Sequence, residues 1–153
     1  MNLERYEFRY DGNFTTFKFF SEGKNGRVIK VVKFQQFNPA NIFYNLLLGD
    51  KDDETGYIDD LAITNNGDTK KVLATVAAIV DTFTEKHPEA WIHATGSTKA
   101  RTRLYRMLIN KYFDIALERF TITGKYQDQW EKYEKNKNYQ AFAVQRKISK
   151  FEI

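Results

Sequence analysis

Cysteine is absent from the 153 residues of the sequence, and histidine occurs twice. Disulfide bonds, thiol nucleophiles and cysteine-ligated zinc or iron–sulfur centres are therefore excluded, and a metal site is not expected. No segment approaches the roughly 20 apolar residues that a membrane-spanning helix requires, and the first residues lack an apolar signal core. These absences predict a cytoplasmic protein that has no membrane anchor and no resident metal.

Aromatic side chains, in contrast, make up 16% of the chain and alternate with charged residues through its first third. This pattern favours a folded protein rich in β-sheet over a disordered chain. The length predicts a single domain, residues 1–153, with one hydrophobic core. The formal charge of +4 is compatible with phosphate ligands, nucleic acid or an acidic partner, and it requires none of them.

Charge is distributed unevenly along the chain. Six acidic residues crowd one short stretch: Asp50, Asp52, Asp53, Glu54, Asp59 and Asp60. No acidic residue occurs between Glu89 and Asp114, and the cations in that stretch are Lys99, Arg101, Arg103, Arg106 and Lys111. The sequence therefore predicts an acidic loop and a basic helix in one molecule.

Turn residues and apolar periodicity predict the secondary structure. Residues 3–10, 14–22 and 27–37 predict an antiparallel meander, residues 40–48 one or two helical turns, and residues 49–56 a solvated loop. Further strands are predicted at residues 57–64, 90–95, 115–123 and 139–147, helices at 68–86 and from 98 to about 113, and a polar connection at 124–138. The predicted fold class is α+β: a twisted, mostly antiparallel sheet of six or seven strands with two main helices, in the order β-β-β-(α)-β-α-β-α-β-β.

The second predicted helix has two different faces. Its apolar face carries Leu104, Leu108 and Tyr112. The opposite, solvated face carries Lys99, Arg103, Arg106 and Asn110. Arg101 is the exception, because it falls near the middle of the apolar arc, one turn from the start of the helix.

Four predicted elements follow one another in the middle of the chain. They are a strand at residues 58–64, a turn that opens a helix at 65–86, a second strand at 91–95, and a second helix from residue 100 onward. The last of these carries an Ala-x-x-x-Leu-Tyr pattern from Ala100 to Tyr105. This succession resembles the core of the Gcn5-related N-acetyltransferase fold, and the resemblance extends over most of the chain. It implies an acyl-coenzyme A-dependent N-acyltransferase, or a degenerate relative with an anion-binding cleft, and acetyl-coenzyme A or another acyl-coenzyme A as the cofactor.

The coenzyme loop of that family, Gln/Arg-x-x-Gly-x-Gly/Ala before a helix, corresponds here to residues 65–71, which contain one glycine and an aspartate. The resemblance implies that the cofactor is bound by Asn66, Gly67, Thr69, Lys70 and Lys71. A capped turn without a ligand is the alternative interpretation, because the glycine pattern of the family is missing.

The tyrosine that often serves as general acid in the family maps onto Tyr105. Acyl transfer to an amine also requires a base that removes the amine proton, and Asp59 and Asp60 are the candidates. The alternative interpretation is a structural ion pair or hydrogen bond.

A second candidate anion site lies at the start of the basic helix. Ser97 and Thr98 offer hydroxyl groups beside free helix N–H groups, and Arg101 offers a guanidinium group, a combination that suits phosphate or carboxylate. In the alternative interpretation Ser97 or Thr98 caps the helix, and Arg101 pairs with Asp59 or Asp60.

Residues 45–50, 65–68 and 94–105 are also similar to an uncharacterised bacterial family of unknown function, which implies bacterial origin and carries no activity. Two further hypotheses stand beside binding of a phosphate-bearing small molecule. One is a non-enzymatic module that engages a protein partner through the acidic loop and the basic helix. The other is nucleic-acid binding by Lys99, Arg103 and Arg106 together with the lysines of residues 124–150, for which a merely solvated face is the alternative. Aromatic residues interleaved with those lysines fit edge packing equally well: Tyr126, Trp130, Tyr133 and Tyr139.

Overall fold

The computed structural model describes residues 4–38, 42–52, 54–59, 66–95 and 98–147. Within these ranges the chain is mixed α+β, with nine strands and three helices. The strands are β1 Phe8–Tyr10, β2 Thr16–Gly23, β3 Gly26–Gln36, β4 Phe43–Lys51, β5 Ile58–Asp59, β6 Trp91–Ala94, β7 Phe120–Tyr126, β8 Gln129–Lys132 and β9 Ala141–Arg146. The helices are α1 Thr69–Lys86, α2 Lys99–Lys111 and α3 Phe113–Arg119. Hydrogen-bonded strands follow the order β1-β2-β3-β4-β6-β9-β7-β8, and β5 pairs with β4.

The chain divides into two compact units, Met1–Gln35 with Leu46–Phe83 and Gln36–Asn45 with Thr84–Ile153. The first unit contains the predicted meander, which is confirmed: β1 pairs antiparallel with β2, and β2 with β3. Its period of two places Phe17, Phe19 and Phe34 in the core. The β2–β3 hairpin turns between Gly23 and Gly26, which face each other in the ladder.

Helix α1 begins and ends where its apolar periodicity predicts. Val72, Val76 and Phe83 lie on its buried side, and the spacing of these residues is that of one helix face. The ring of Phe83 is fully buried and stacks on Phe34 of β3, with 3.9 Å between centroids and 8° between planes. The helix thus covers the meander and closes the core of the first unit.

The prediction of helical turns at residues 40–48 is wrong for the described part of that stretch, because strand β4 begins at Phe43. Residues 40 and 41 lie outside the described residues. The run from Phe43 to Leu48 is rich in apolar residues, so its pattern does not separate a buried strand from a short helix. Pairing decides the outcome, because residues 43–45 form a parallel ladder with β6. The predicted loop at 49–56 is also wrong at its start, since β4 continues to Lys51.

The strand predicted at residues 57–64 is described only where β5 pairs antiparallel with the end of β4. Strands β4 and β5 lie so close together at Gly49 that a Cβ atom there would be 2.6 Å from Cγ2 of Ile58. Residues 60–64 lie outside the described residues.

The second unit pairs the start of β4 with β6, β6 with β9, and β9 with β7, which in turn pairs with β8. Two secondary-structure predictions are wrong in this unit. Residues 115–119, predicted as strand, belong to helix α3, whose first turn carries Asp114 and whose last turn carries Arg119, charges that suit a helix dipole. The predicted connection at 124–138 contains a hairpin whose turn residues, Gln127 and Asp128, both have positive φ.

Within the described residues, no helix combines the length and the apolar character needed to cross a bilayer. The longest helix, α1, has 18 residues and contains several charges.

Candidate anion-binding site

Helix α2 begins at a cap that the sequence predicts. The hydroxyl group of Thr98 accepts a hydrogen bond from the backbone N–H of Arg101 at 3.2 Å. The carbonyl group of Thr98 accepts one from the N–H of Thr102 at 3.1 Å and one from its hydroxyl at 3.2 Å. Because this cap fixes the first turn, it also fixes the direction in which the following side chains project.

The two faces of α2 differ in burial as the helical periodicity predicts. Arg101 and Tyr105 are only 3% and 4% exposed. Lys99 and Arg103 are exposed and Arg106 is half-buried on the opposite side of the helix. The position predicted for Arg101 on the apolar side of the helix is therefore confirmed, and Arg101 does not share a face with Lys99, Arg103 and Arg106.

These three cations line an open cavity of about 740 Å³, here called the basic groove. Its lining residues are Thr98, Lys99, Thr102, Arg103, Arg106, Asn138, Tyr139 and Gln140. Five of them are uncharged side chains that can form hydrogen bonds, and none carries a carboxylate. In the described part of the chain, Lys99, Arg103 and Arg106 form no ion pair, whereas nearby Lys137 pairs with Glu131 at 2.8 Å.

The wall opposite α2 is held in place by its own contacts. The hydroxyl group of Tyr139 donates to a carboxylate oxygen of Glu131 at 3.1 Å and accepts from the backbone N–H of Glu134 at 2.9 Å. Its ring packs on Gly124, where a Cβ atom would lie 2.4 Å from Cδ1 of Tyr139. Gln140 is fixed by its backbone N–H, which donates to the carbonyl of Lys125 at 2.8 Å.

Tyr133 ties α2 to this wall. Its hydroxyl group donates to the side-chain oxygen of Asn110, and its ring lies 4.9 Å from that of Tyr139. Burial, reinforced by Tyr139 and opposed by Arg106, raises the pKa of Tyr133 to about 12. Burial also raises the pKa of Tyr139. Both phenols therefore stay neutral near pH 7 and add no negative charge beside the groove cations.

Asn66, predicted to bind a cofactor at the start of α1, is 2% exposed and engages both ends of its side-chain amide within the first unit. Its oxygen accepts from the N–H of Asn25 at 2.6 Å, and its nitrogen donates to Ser21 at 3.2 Å and to the carbonyl of Gly26 at 2.8 Å. These bonds join the turn before α1 to the β2–β3 hairpin.

Asp68 and Lys71, at the same turn, also have partners inside the first unit. A carboxylate oxygen of Asp68 accepts hydroxyl bonds from Tyr6 at 2.5 Å and Ser21 at 2.6 Å. The ammonium group of Lys71 lies 4.3 Å from the ring centroid of Tyr6 and 3.4 Å from Glu4. The carboxylate thus occupies the start of α1, where a phosphate would be expected to bind. Gly67 has a φ of 77°, and Thr69 and Lys70 are exposed.

The structure describes two of the three predicted catalytic residues, Tyr105 and Asp59. Tyr105 is buried in the second unit, and Asp59 lies on β5 of the first, opposite Asp50 in the ladder. Asp60 and Ser97 lie outside the described residues. Across the described ranges, no group of three or more histidine, aspartate and glutamate residues could hold a metal ion.

His93, on β6, is half-buried, with Asn45 at 3.5 Å and the hydroxyl of Thr95 at 3.3 Å. Burial, and secondly the charge of Lys125, lowers the pKa of His93 from its ordinary value of 6.5. The unfolded chain therefore takes up this proton more readily than the folded chain, so that stability falls as pH drops below the unfolded value.

We expect the free energy of unfolding to decrease less between about pH 7 and about pH 5 in His93→Gln than in the wild type. Urea titrations at each pH measure this difference. Equal decreases in the two proteins would contradict the assigned direction.

Comparison with known proteins places the chain in one family and offers no further relative. A family model matches residues 2–147, and the description of that family is a family of unknown function. No curated protein and no solved structure gives a significant match.

Proposed function

The chain belongs to the family of unknown function DUF6934, and we propose that it binds a phosphate-bearing small molecule in the basic groove. One observation carries this proposal. Lys99, Arg103 and Arg106 converge on a single cavity, and no carboxylate is among the described residues that line it, although surface cations commonly have acidic neighbours. Their charge is therefore available to an anion from solution.

The chemistry of the lining fits phosphate groups. Guanidinium groups bind two phosphate oxygens at once, and an ammonium group adds a point charge. The groove also includes the capped start of α2, where the first N–H groups lack intrahelical acceptors and the helix dipole favours an anion. Asn138 and Gln140 supply neutral hydrogen-bonding groups that suit the uncharged part of a ligand. The volume of about 740 Å³ falls in the range of small-molecule sites.

Acyl-coenzyme A is the first ligand to test, because the succession β5-α1-β6-α2 is the one on which the resemblance to the N-acetyltransferases rests. In acyl transfer the acyl–sulfur bond breaks, an acyl–nitrogen bond forms, and the amine proton ultimately reaches the thiolate. Tyr105 is assigned as the proton donor by that resemblance. Since Tyr105 is 4% exposed and lies across the helix from the groove cations, the geometry supports ligand binding more directly than catalysis.

The test is a thermal-shift titration of the full chain with acetyl-coenzyme A, coenzyme A and inorganic pyrophosphate. A ligand at 100 times its dissociation constant stabilises the folded chain by about 2.7 kcal/mol. We expect the stabilisation to disappear in Arg103→Ala/Arg106→Ala and to persist in Arg9→Ala, which removes an exposed arginine of β1.

Two outcomes contradict the proposal. The first is no shift of the wild type with any of the three ligands at millimolar concentration. The second is a shift that survives in Arg103→Ala/Arg106→Ala and is lost in Lys70→Ala/Lys71→Ala, because the ligand would then occupy the turn before α1. A shift with acetyl-coenzyme A and coenzyme A alone favours the acyltransferase interpretation, whereas a shift with pyrophosphate favours a broader phosphate specificity.

A further inference from the structure

The sheet of the second unit carries its helices on one side. Phe142 of β9 is buried and contacts Tyr133, and Tyr133 in turn bonds Asn110 of α2 and packs on Phe113 of α3. The last turn of α1 lies on this side too, because Thr84 accepts a hydrogen bond from Arg146 at 3.2 Å, beside the buried ring of Phe120. These contacts of the second unit lie on the Phe142 side of its sheet, and the alternate strand residues project from the other side.

That other side carries a row of rings, here called the aromatic face: the exposed rings of Phe37, Phe43 and Trp130 and the half-buried ring of His93. His93 stands at its centre. The ring centroid of Phe37 lies 5.7 Å from that of His93, and the centroid of Trp130 lies 5.6 Å from it on a different strand. The three large hydrophobic rings are 59%, 47% and 46% exposed, in sequence order. Because alternate residues of a strand point to opposite faces, Phe43, His93 and Trp130 project from the side opposite Phe142. Phe37 follows the end of β3 and joins this face through its contact with His93.

The charges on the aromatic face have one sign. Lys125 lies directly opposite Trp130 in the β7–β8 ladder, and Lys132 lies on the same face, two residues beyond Trp130. Among the described strand residues that project from this face, none is an aspartate or glutamate. Residues 84–147 as a whole carry 13 lysines and arginines against 7 aspartates and glutamates. The face therefore favours an anionic partner over a neutral or basic one.

Exposed rings beside lysines on an open sheet match the chemistry of a single-stranded nucleic acid. Unpaired bases stack on aromatic side chains, and the backbone phosphates bind cations beside them. A duplex keeps its bases stacked inside the helix, so that they are not available to stack on these rings. A second copy of the chain would place its own Lys125 and Lys132 near those of the first, so that like charges oppose self-association.

We propose that the aromatic face binds single-stranded nucleic acid. Bases stack on Phe37 and Trp130, on the two sides of His93, and phosphates lie against Lys125 and Lys132. Asn45 pairs with His93 in the β4–β6 ladder and supplies an amide group within reach of a base edge. This site lies on the side of the sheet opposite α2, so that it does not depend on the function proposed for the basic groove.

The experiment measures fluorescence anisotropy of labelled 20-nucleotide oligothymidine and oligouridine, with a labelled 20-base-pair duplex for comparison. We expect the wild type to bind at least one of the single strands, and each of Phe37→Ala and Trp130→Ala to weaken that binding by about 5-fold or more. Trp130→Phe keeps a ring and retains most of the affinity. Lys125→Ala/Lys132→Ala reduces the steepness with which salt weakens binding.

The control is Arg103→Ala/Arg106→Ala, which removes two cations from the basic groove and leaves the aromatic face intact. Single-strand binding unchanged in this control supports the assignment to the aromatic face. The proposal is overturned if the wild type binds neither single strand at low salt, if the duplex binds as tightly, or if the groove variant loses binding and the ring variants keep it. It is also overturned if Trp130→Ala converts a dimer to a monomer in sedimentation, because a second copy would then be the occupant. Thermal melts of each variant verify that the chain remains folded.

Discussion

Phe83→Ala lowers the free energy of unfolding by about 3–5 kcal/mol. The reason is the complete burial of the Phe83 ring and its face-to-face contact with Phe34, 3.9 Å away between centroids. Alanine removes the buried ring and leaves a cavity between α1 and the meander. Urea unfolding monitored by circular dichroism measures the loss.

Phe37→Ala is the matched control, because it makes the same chemical change at a ring that is 59% exposed. Its effect on the free energy of unfolding should stay within about 0.5 kcal/mol. Similar losses in the two variants would contradict the assignment of Phe83 to the core. A small effect on the free energy of unfolding also means that Phe37→Ala stays folded and is suitable for the nucleic-acid binding experiment.

Lys30→Met lowers the free energy of unfolding by about 3–5 kcal/mol. The ammonium group of Lys30 lies 2.6 Å from a carboxylate oxygen of Asp50, and the two side chains are 7% and 13% exposed. Removing the lysine leaves the carboxylate in a poorly hydrated position without this cation. We expect Lys30→Met/Asp50→Leu to recover much of the loss, since an apolar pair replaces a buried ion pair at little cost.

Lys71→Met provides the comparison for Lys30→Met. Its partner, Glu4, is 85% exposed and 3.4 Å away, so the loss should be below about 1 kcal/mol. Chemical denaturation of the four proteins separates the cases. A double variant no more stable than Lys30→Met would contradict the ion-pair explanation.

Local patterns predict most of the elements. The meander, α1, β6 and the two faces of α2 follow from period and capping, which depend on residues close in sequence. Strand β4 does not, because its apolar run fits a strand or a helix until the ladder with β6 selects one. The β7–β8 hairpin is hidden because Gln127 and Asp128 adopt positive φ without the glycine that usually marks such a turn. The structure consequently has more strands than the six or seven predicted.

The sequence predicts only the α2 side of the basic groove. The cap at Thr98 and the exposed cations of α2 follow from the sequence of the helix itself. The wall formed by Asn138, Tyr139 and Gln140 does not, because it comes from a segment more than 30 residues away. The roles assigned by resemblance to Tyr105, to the aspartates and to the turn before α1 stay predictions, as does the single domain. The side-chain amide of Asn66 forms hydrogen bonds within the first unit. An asparagine in a turn can bind a ligand or stabilise the turn in this way, and the sequence alone does not distinguish the two.

Because Gly124 has no side chain, substitutions at this position or at Tyr139 could change the size of the basic groove without changing its charges. The ring of Tyr139 occupies the space that a Cβ atom at position 124 would need. A larger residue there would push the ring outward, whereas a smaller residue in place of Tyr139 would enlarge the cavity beside the arginines. Ligand size could thus be selected independently of ligand charge.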